Sequence, residues 1–313
     1  MPLDHYVSQV HLKNFCFDPD RTRLRAIGKS DLKQFDSKTQ NVCRVENGST
    51  NAYLTEGRAI EVFLKGVEPN YNASIEKIRQ GNIDADCIGV VAGFAAYVAV
   101  VSPTAMRIHA KWLQAEVEAV AKITDRQGSF DKVPLVLGGK SLSNLIDNGE
   151  IAINIDGKFP QAIGISSIKK FVSIFGNSPW EILHNEQKDS PFFTSDYPAP
   201  IELRKDGITN RIVPLAPDLA VRIKPDMRIS RGQPDLSFSS FECRDRKLSH
   251  DDVVKVNQLI VQCAEDLVFY RDDQYWIPRF VAKHSKYRIE GITKNTAYGS
   301  GFLNSVSQRI RHI

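Results

Sequence analysis

Residues 88–101 form the longest apolar run in the chain, fourteen residues that include Gly89 and Gly93. A helix needs roughly 18 to 20 apolar residues to cross a bilayer, so the run predicts a helix buried inside a folded protein. Covering such a helix takes a large apolar complement. The 313 residues, 42% of them hydrophobic, supply it and suffice for one large domain. Pro103 disfavours helical geometry in the residue before it and sets a break. Beyond it, residues 104–124 carry Ile108, Trp112, Ala115, Val117, Ala119 and Val120 near the helical period. Two apolar helices so closely joined predict a helical hairpin, and residues 72–80 add a further helix.

The second half changes character. Residues 180–184 and 192–196 are two short β-prone runs joined by a polar turn, and residues 201–203 and 209–213 flank the turn former Asp206-Gly207. These segments predict an antiparallel sheet. A helix is expected over residues 251–269, capped near Ser249, with Val253, Ile260, Ala264 and Leu267 on one face. The expected fold class is therefore α+β: a helical first half packed with a small antiparallel sheet, closed by a C-terminal helix and a basic tail. With no repeat or long linker, residues 1–313 read as a single domain, helix-rich over 1–130, mixed α/β over 131–278 and a basic tail over 279–313.

Charge is unevenly distributed. From residue 279 onward, Arg279, Lys283, Lys286, Arg288, Lys294, Arg309 and Arg311 face one acid, Glu290, so the tail carries +6 of a net +4 and the rest −2. A local basic patch suits a polyanion, because contacts to phosphates release counterions; a solvated surface explains the same residues. The five cysteines (16, 43, 87, 243 and 263) are widely spaced and odd in number, as expected of reduced thiols. The N-terminus has neither a basic nor an apolar leader segment, and a soluble, cytoplasmic protein is expected. The seven histidines lack helix-borne zinc spacing, and no metal or other cofactor is expected, with a magnesium site assembled by Asp and Glu from distant segments as the alternative. Gly138-Gly139-Lys140-Ser141 lacks the upstream glycine of a P-loop, and no G-x-S-x-G elbow is present. Nucleoside triphosphate hydrolysis and serine-nucleophile chemistry are disfavoured.

Among polar residues, Asn257 shares the apolar face of its helix and must find hydrogen-bond partners there, either in a neighbouring loop or in a ligand. Asp196 ends a hydrophobic run two residues before Pro198, a position that serves a catalytic carboxylate or an ordinary turn. His5 and Gln9 share a face if their segment is helical. With Ser8 as helix cap, His5 instead lies in an extended approach and Gln9 in the first turn, and both still point into one pocket. A solvent-exposed terminal histidine is the alternative.

These residues recur together in a pattern that resembles the bacterial family catalogued as domain of unknown function 4238. The matching blocks are His5-Tyr6-Val7-Ser8-Gln9 with Leu12, Asn14 and Phe15, then Glu46-Asn47 leading to Tyr53, then Glu61 and Glu68. They continue with Phe192 through Pro198, Pro214-Leu215-Ala216-Pro217, and the helix carrying Asn257 and Ala264. Ser8 stands where relatives carry proline, and Ser102-Pro103 where they tend to carry an Arg-Thr-Pro-like block; if that arginine binds substrate in relatives, either Arg107 fills its role or the substrate differs. The resemblance implies a polar site of His5, Gln9, Glu46, Asp196 and Asn257 without naming its job. Carboxylate plus imidazole suits hydrolysis, amides read nucleobase edges, and Tyr6, Phe193 and Tyr197 are candidates to stack on an extruded base. With Lys283, Lys286, Arg288, Lys294, Arg309 and Arg311 holding phosphates, the leading expectation is a DNA glycosylase-type hydrolase in bacterial anti-phage defence. Its partner is then DNA, with no membrane and no obligate protein partner. A nuclease and a non-enzymatic nucleic-acid-binding protein are the alternatives.

Overall fold

A computed structural model describes residues 3–226, 233–298 and 301–313 of the chain. It opens on strands rather than helices. β1 (Leu3–His5) leads through Ser8 into the short α1 (Gln9–Leu12), followed by β2 (Arg23–Gly28), β3 (Gln34–Lys38) and β4 (Arg44–Glu46). β4 returns to pair with β1, setting His5 opposite Arg44, and β2 pairs antiparallel with β3. The expected helical first half is thus corrected over its opening residues. Arg23-Leu24-Arg25-Ala26 and Gln34-Phe35-Asp36 alternate polar with apolar, the two-residue period of a half-buried strand.

The helical part begins with α2 (Ala59–Leu64), α3 (Tyr71–Arg79) and α4 (Ala85–Val101). Asp84 caps α4 by accepting the Cys87 N–H at 2.9 Å. Every residue from Val90 to Val101 is buried, which accounts for the apolar run. Among the described residues, no single helix is long and apolar enough to cross a membrane. Ser102 then turns extended and caps α5 (Pro103–Arg126). Because proline fits the first position of a helix, α5 starts with no intervening loop, and the two axes bend by 57° instead of folding back as the expected hairpin. α6 (Leu142–Asp147), α7 (Lys158–Ser166) and α8 (Ile168–Gly176) pack around α4 and α5.

The remaining strands are β5 (Trp180–His184), β6 (Thr194–Ser195), β7 (Ile201–Leu203), β8 (Thr209–Ala216), β9 (Leu219–Ile223) and β10 (Cys243–Lys247). After them come α9 (His250–Cys263), β11 (Leu267–Tyr270), α10 (Ile277–His284), β12 (Tyr287–Tyr298) and β13 (Gly301–His312). One sheet runs β10-β5-β9-β8-β7, another β3-β2-β11-β6, and β12 and β13 form a hairpin. Pairing is antiparallel except between β10 and β5. The architecture is mixed helix and sheet, with several small sheets in place of one.

Three expectations are adjusted by this topology. β5 and β6 belong to different sheets, so the polar segment between them is a crossing and not a hairpin turn. Asp206-Gly207 does turn β7 into β8, with Gly207 at φ +83°, a conformation open to glycine. Ser249 caps α9 through the Asp252 N–H, but Ala264 leaves helical geometry at ψ 140°. Leu267-Val268-Phe269-Tyr270 is the strand β11 where helix was expected, consistent with its β-branched and aromatic side chains. The basic tail is a folded hairpin, preceded by α10.

The main core surrounds α4 with Trp180, Ile182, Leu215 and Val221 of the five-stranded sheet. His11 pins α1 to it: its ring nitrogens lie 2.9 Å from the Tyr71 hydroxyl and 2.7 Å from Thr194 Oγ1, and it stacks on Phe94. Burial lowers the His11 pKa to about 3, so the ring is neutral and structural.

Candidate functional site

The turn from β1 into α1 leaves a cleft of about 400 Å³, whose polar lining is Asp4, His5, Gln9, Ser49, Glu61, Lys65 and Glu68. β1 is held in place from below by the Tyr97 hydroxyl of α4, which donates to the His5 carbonyl at 2.7 Å. His5 therefore sits in an extended segment and Gln9 in the first helical turn, and the two share this cleft. Ser8 does not cap α1 with its side chain. Its hydroxyl donates instead to Glu68 Oε1 at 2.5 Å, which fixes that carboxylate at the cleft wall. Arg58 holds Glu61 through Nε at 2.7 Å and reaches Asp4 at 3.5 Å.

The His5 ring is half-buried, and its Nε2 is sheltered from solvent without a hydrogen-bond partner among the described residues. Burial lowers its pKa below the usual 6.5, assisted by the Arg44 charge and opposed by hydrogen bonding at the Thr39 and Gln40 backbone and by Glu68. At neutral pH the imidazole is uncharged and able to accept a proton. Three carboxylates and one lysine line the cleft with it; Arg58 offsets Asp4 and Glu61, which leaves Glu68 as the lining carboxylate without an ion pair among the described residues. Among the described residues, no group of three or more His, Cys, Asp or Glu side chains is arranged to hold a metal ion.

A family model described as "Protein of unknown function (DUF4238)" matches residues 4–274. The chain belongs to this family. No curated protein and no solved structure matches it. The span shared with the DUF4238 family takes in the cleft from Asp4 to Glu68 and ends before the β12–β13 hairpin.

Several residues proposed for the site of this DUF4238 member lie outside the cleft. Asp196 is wholly buried and accepts backbone N–H groups from Glu265 at 2.8 Å, Asp266 at 2.8 Å and Leu267 at 2.9 Å. It binds the turn between α9 and β11. Burial raises its pKa to about 6 against those three donors and the nearby Lys29 charge. Asn257 holds the approach to β6, as its alternative reading allowed, by donating to the Pro191 carbonyl and accepting from the Phe193 N–H. Glu46 is exposed at the end of β4 and does not line the cleft.

The three aromatics assigned to base stacking are already packed in the interior. Phe193 is fully buried and stacks on Trp276 at 5.7 Å. Tyr197 is buried, its hydroxyl accepting from Arg211 at 2.7 Å. Tyr6 packs on the cluster of Val7, Leu12 and Phe269 and hydrogen-bonds the Cys43 thiol. Arg107 is likewise committed: it forks onto Glu265 at 2.8 Å and also binds Glu290 and the Ile289 carbonyl.

The basic residues divide between two elements. Lys283 on α10 and Lys286 just beyond it are exposed. In the hairpin, Arg288 lies opposite Arg311, Glu290 opposite Arg309 and Lys294 opposite Ser305. Directly paired residues share a sheet face, so Arg288, Lys294, Arg309 and Arg311 stand on one side. None of them lines the cleft. Asp4, Ser49 and Lys65 entered the site without any sequence indication, because only the β1–β4 pairing and α2 bring them together. Glu61 and Glu68 were visible as blocks of the resemblance, with no local pattern to mark them.

Proposed function

We propose that this protein is a hydrolase that cleaves base–sugar bonds in nucleic acid, with His5 accepting a proton from the attacking water and Glu68 facing the reacting sugar. The observation that carries the reading is the His5 imidazole, kept neutral by burial, in the wall of a cleft that Glu68 also lines. Glycosidic cleavage develops positive charge on the sugar ring, which a carboxylate stabilises. Phosphodiester attack instead gathers negative charge, which the Glu68 carboxylate opposes; this ranks the nuclease second. Gln9 contributes an amide that accepts and donates, as base-edge recognition requires.

In this reading water loses a proton to the His5 ring as its oxygen bonds to the sugar, the base departs with the bonding electrons, and the His5 imidazolium returns that proton to the base through solvent. The hairpin face with Arg288, Lys294, Arg309 and Arg311 is the proposed phosphate contact. A cytoplasmic setting accords with five cysteines that are all unbridged.

Incubation with DNAs carrying different base modifications, followed by mass analysis of released bases, tests the reaction. The expected outcome is free base and an abasic strand that breaks only in alkali. Immediate strand breaks select the nuclease, and no release from any DNA with wild-type protein overturns the hydrolase.

A further inference from the structure

A second polar surface lies on the five-stranded sheet, on elements that contribute nothing to the His5 cleft. Strand register builds it: Glu181 on β5 stands directly between Arg244 on β10 and Arg222 on β9. Arg222 donates to Glu181 Oε2 at 2.7 Å, while Lys224 and Arg244 Nε both donate to Oε1 at 2.8 Å. Glu181 is 2% exposed and Arg244 68% exposed, so the carboxylate anchors the cations from beneath. Burial opposes its ionisation, yet Lys224, Arg222 and Arg244 hold its pKa down to about 2.

Arg246 and Lys255 complete the wall of a cleft of about 380 Å³ that holds five cations against Glu181, Glu202 and Asp252. A surplus of two positive charges on a fixed frame is what a phosphate group needs. Asn210 and Lys224 also line the adjoining cleft of about 680 Å³, where Asp226 stands as an acid.

Asn210 makes the ligand more specific. It is 5% exposed, and its Nδ2 donates to Glu202 at 2.7 Å, which fixes the orientation of the amide. Its Oδ1 is buried without a partner among the described residues. An unmatched buried acceptor of this kind is unfavourable and is relieved by a ligand hydroxyl or N–H. We infer that this sheet face binds a phosphorylated sugar, as a free nucleotide or within a nucleic-acid chain, through Arg244, Arg246 and Lys255 to phosphate and Asn210 Oδ1 to a hydroxyl or N–H.

Calorimetric titration with inorganic pyrophosphate and with adenosine monophosphate, and fluorescence anisotropy with a short labelled oligonucleotide, test the site on the full chain. The doubly substituted Arg244→Ala/Lys255→Ala protein is expected to bind roughly tenfold more weakly, with a shallower salt dependence. Asn210→Ala should weaken adenosine monophosphate while leaving pyrophosphate unchanged. Where the double variant melts early, Lys255→Ala alone, on the exposed surface of α9, carries the test with a loss of roughly threefold. Binding of the monophosphate alone assigns a free nucleotide, and binding of the oligonucleotide alone assigns a nucleic-acid chain. No saturable binding of any probe, or equal affinity in the variants, overturns the site.

Discussion

Asn257 Oδ1 accepts the backbone N–H of Phe193 at 3.0 Å, while the same amide donates to the Pro191 carbonyl at 2.9 Å. One side chain on α9 therefore satisfies two backbone groups of the segment that leads into β6. Substitution Asn257→Leu leaves both buried and unmatched. A loss of about 2 to 4 kcal/mol is expected, measured by urea unfolding at constant m-value. Any residual activity should scale with the folded fraction, which separates this role from a chemical one.

Asp196 carries a pH signature. Its folded pKa of about 6 lies above the ordinary 3.8, so the native state binds a proton more tightly than the unfolded chain does. The corresponding stability is fully present below about pH 4 and is lost as pH rises through about 6. The stability of wild type minus that of Asp196→Asn should accordingly fall by on the order of 2 to 3 kcal/mol across that window. A difference flat with pH in chemical unfolding experiments would contradict the assignment.

His5 moves in the opposite sense, since burial first and Arg44 second lower its pKa below 6.5. The native state resists protonation, so the stability tied to this ring is present above about pH 6.5 and lost as pH falls through the lowered native value. As a proton acceptor it should place the acid limb of the kcat/KM profile below pH 6.5. His5→Ala is expected to lower kcat by about a hundredfold or more, a loss larger than the fall in folded fraction read from Tm on the same protein.

Glu68 tests the charge of the cleft separately from its shape. Glu68→Gln keeps an acceptor for the Ser8 hydroxyl, which lies 2.5 Å from Oε1 in the wild type, but removes the negative charge. The expected result is a fall in kcat of about tenfold or more with KM nearly unchanged. Equal kcat in the two proteins would remove Glu68 from the reaction.

Gly291 tests how the basic hairpin is seated. A Cβ there would lie 2.5 Å from Trp112 Nε1 and 3.2 Å from Ile108 Cγ2 on α5, so Gly291→Ala forces the hairpin and helix apart. A loss of about 1 to 3 kcal/mol is expected, read as a lower Tm.

The elements legible in the sequence are those whose causes lie within a few residues of one another. The buried run became α4, Pro103 ended it, Ser249 capped α9 and Asp206-Gly207 turned β7 into β8. Propensity, capping and turn geometry act over such short separations. Of the two placements open to the N-terminal block, the structure takes the one with His5 before the first helical turn and Gln9 within it. The paired-strand start and the end of α9 were misread because two apolar patterns, of period two and period 3.6, overlap in short segments.

The partners of the polar residues were settled at long range. Ser8 meets Glu68 across 60 residues, Asn257 meets Phe193 across 64, and Asp196 meets Leu267 across 71. By itself the sequence determined that these polar side chains had to find partners, because unmatched polar groups are costly in a packed interior. Only the tertiary structure decided which partners they found. Backbone N–H groups closed around Asp196 and Asn257 and used up their capacity, while His5 and Gln9, folded against Glu68, were left facing a cleft.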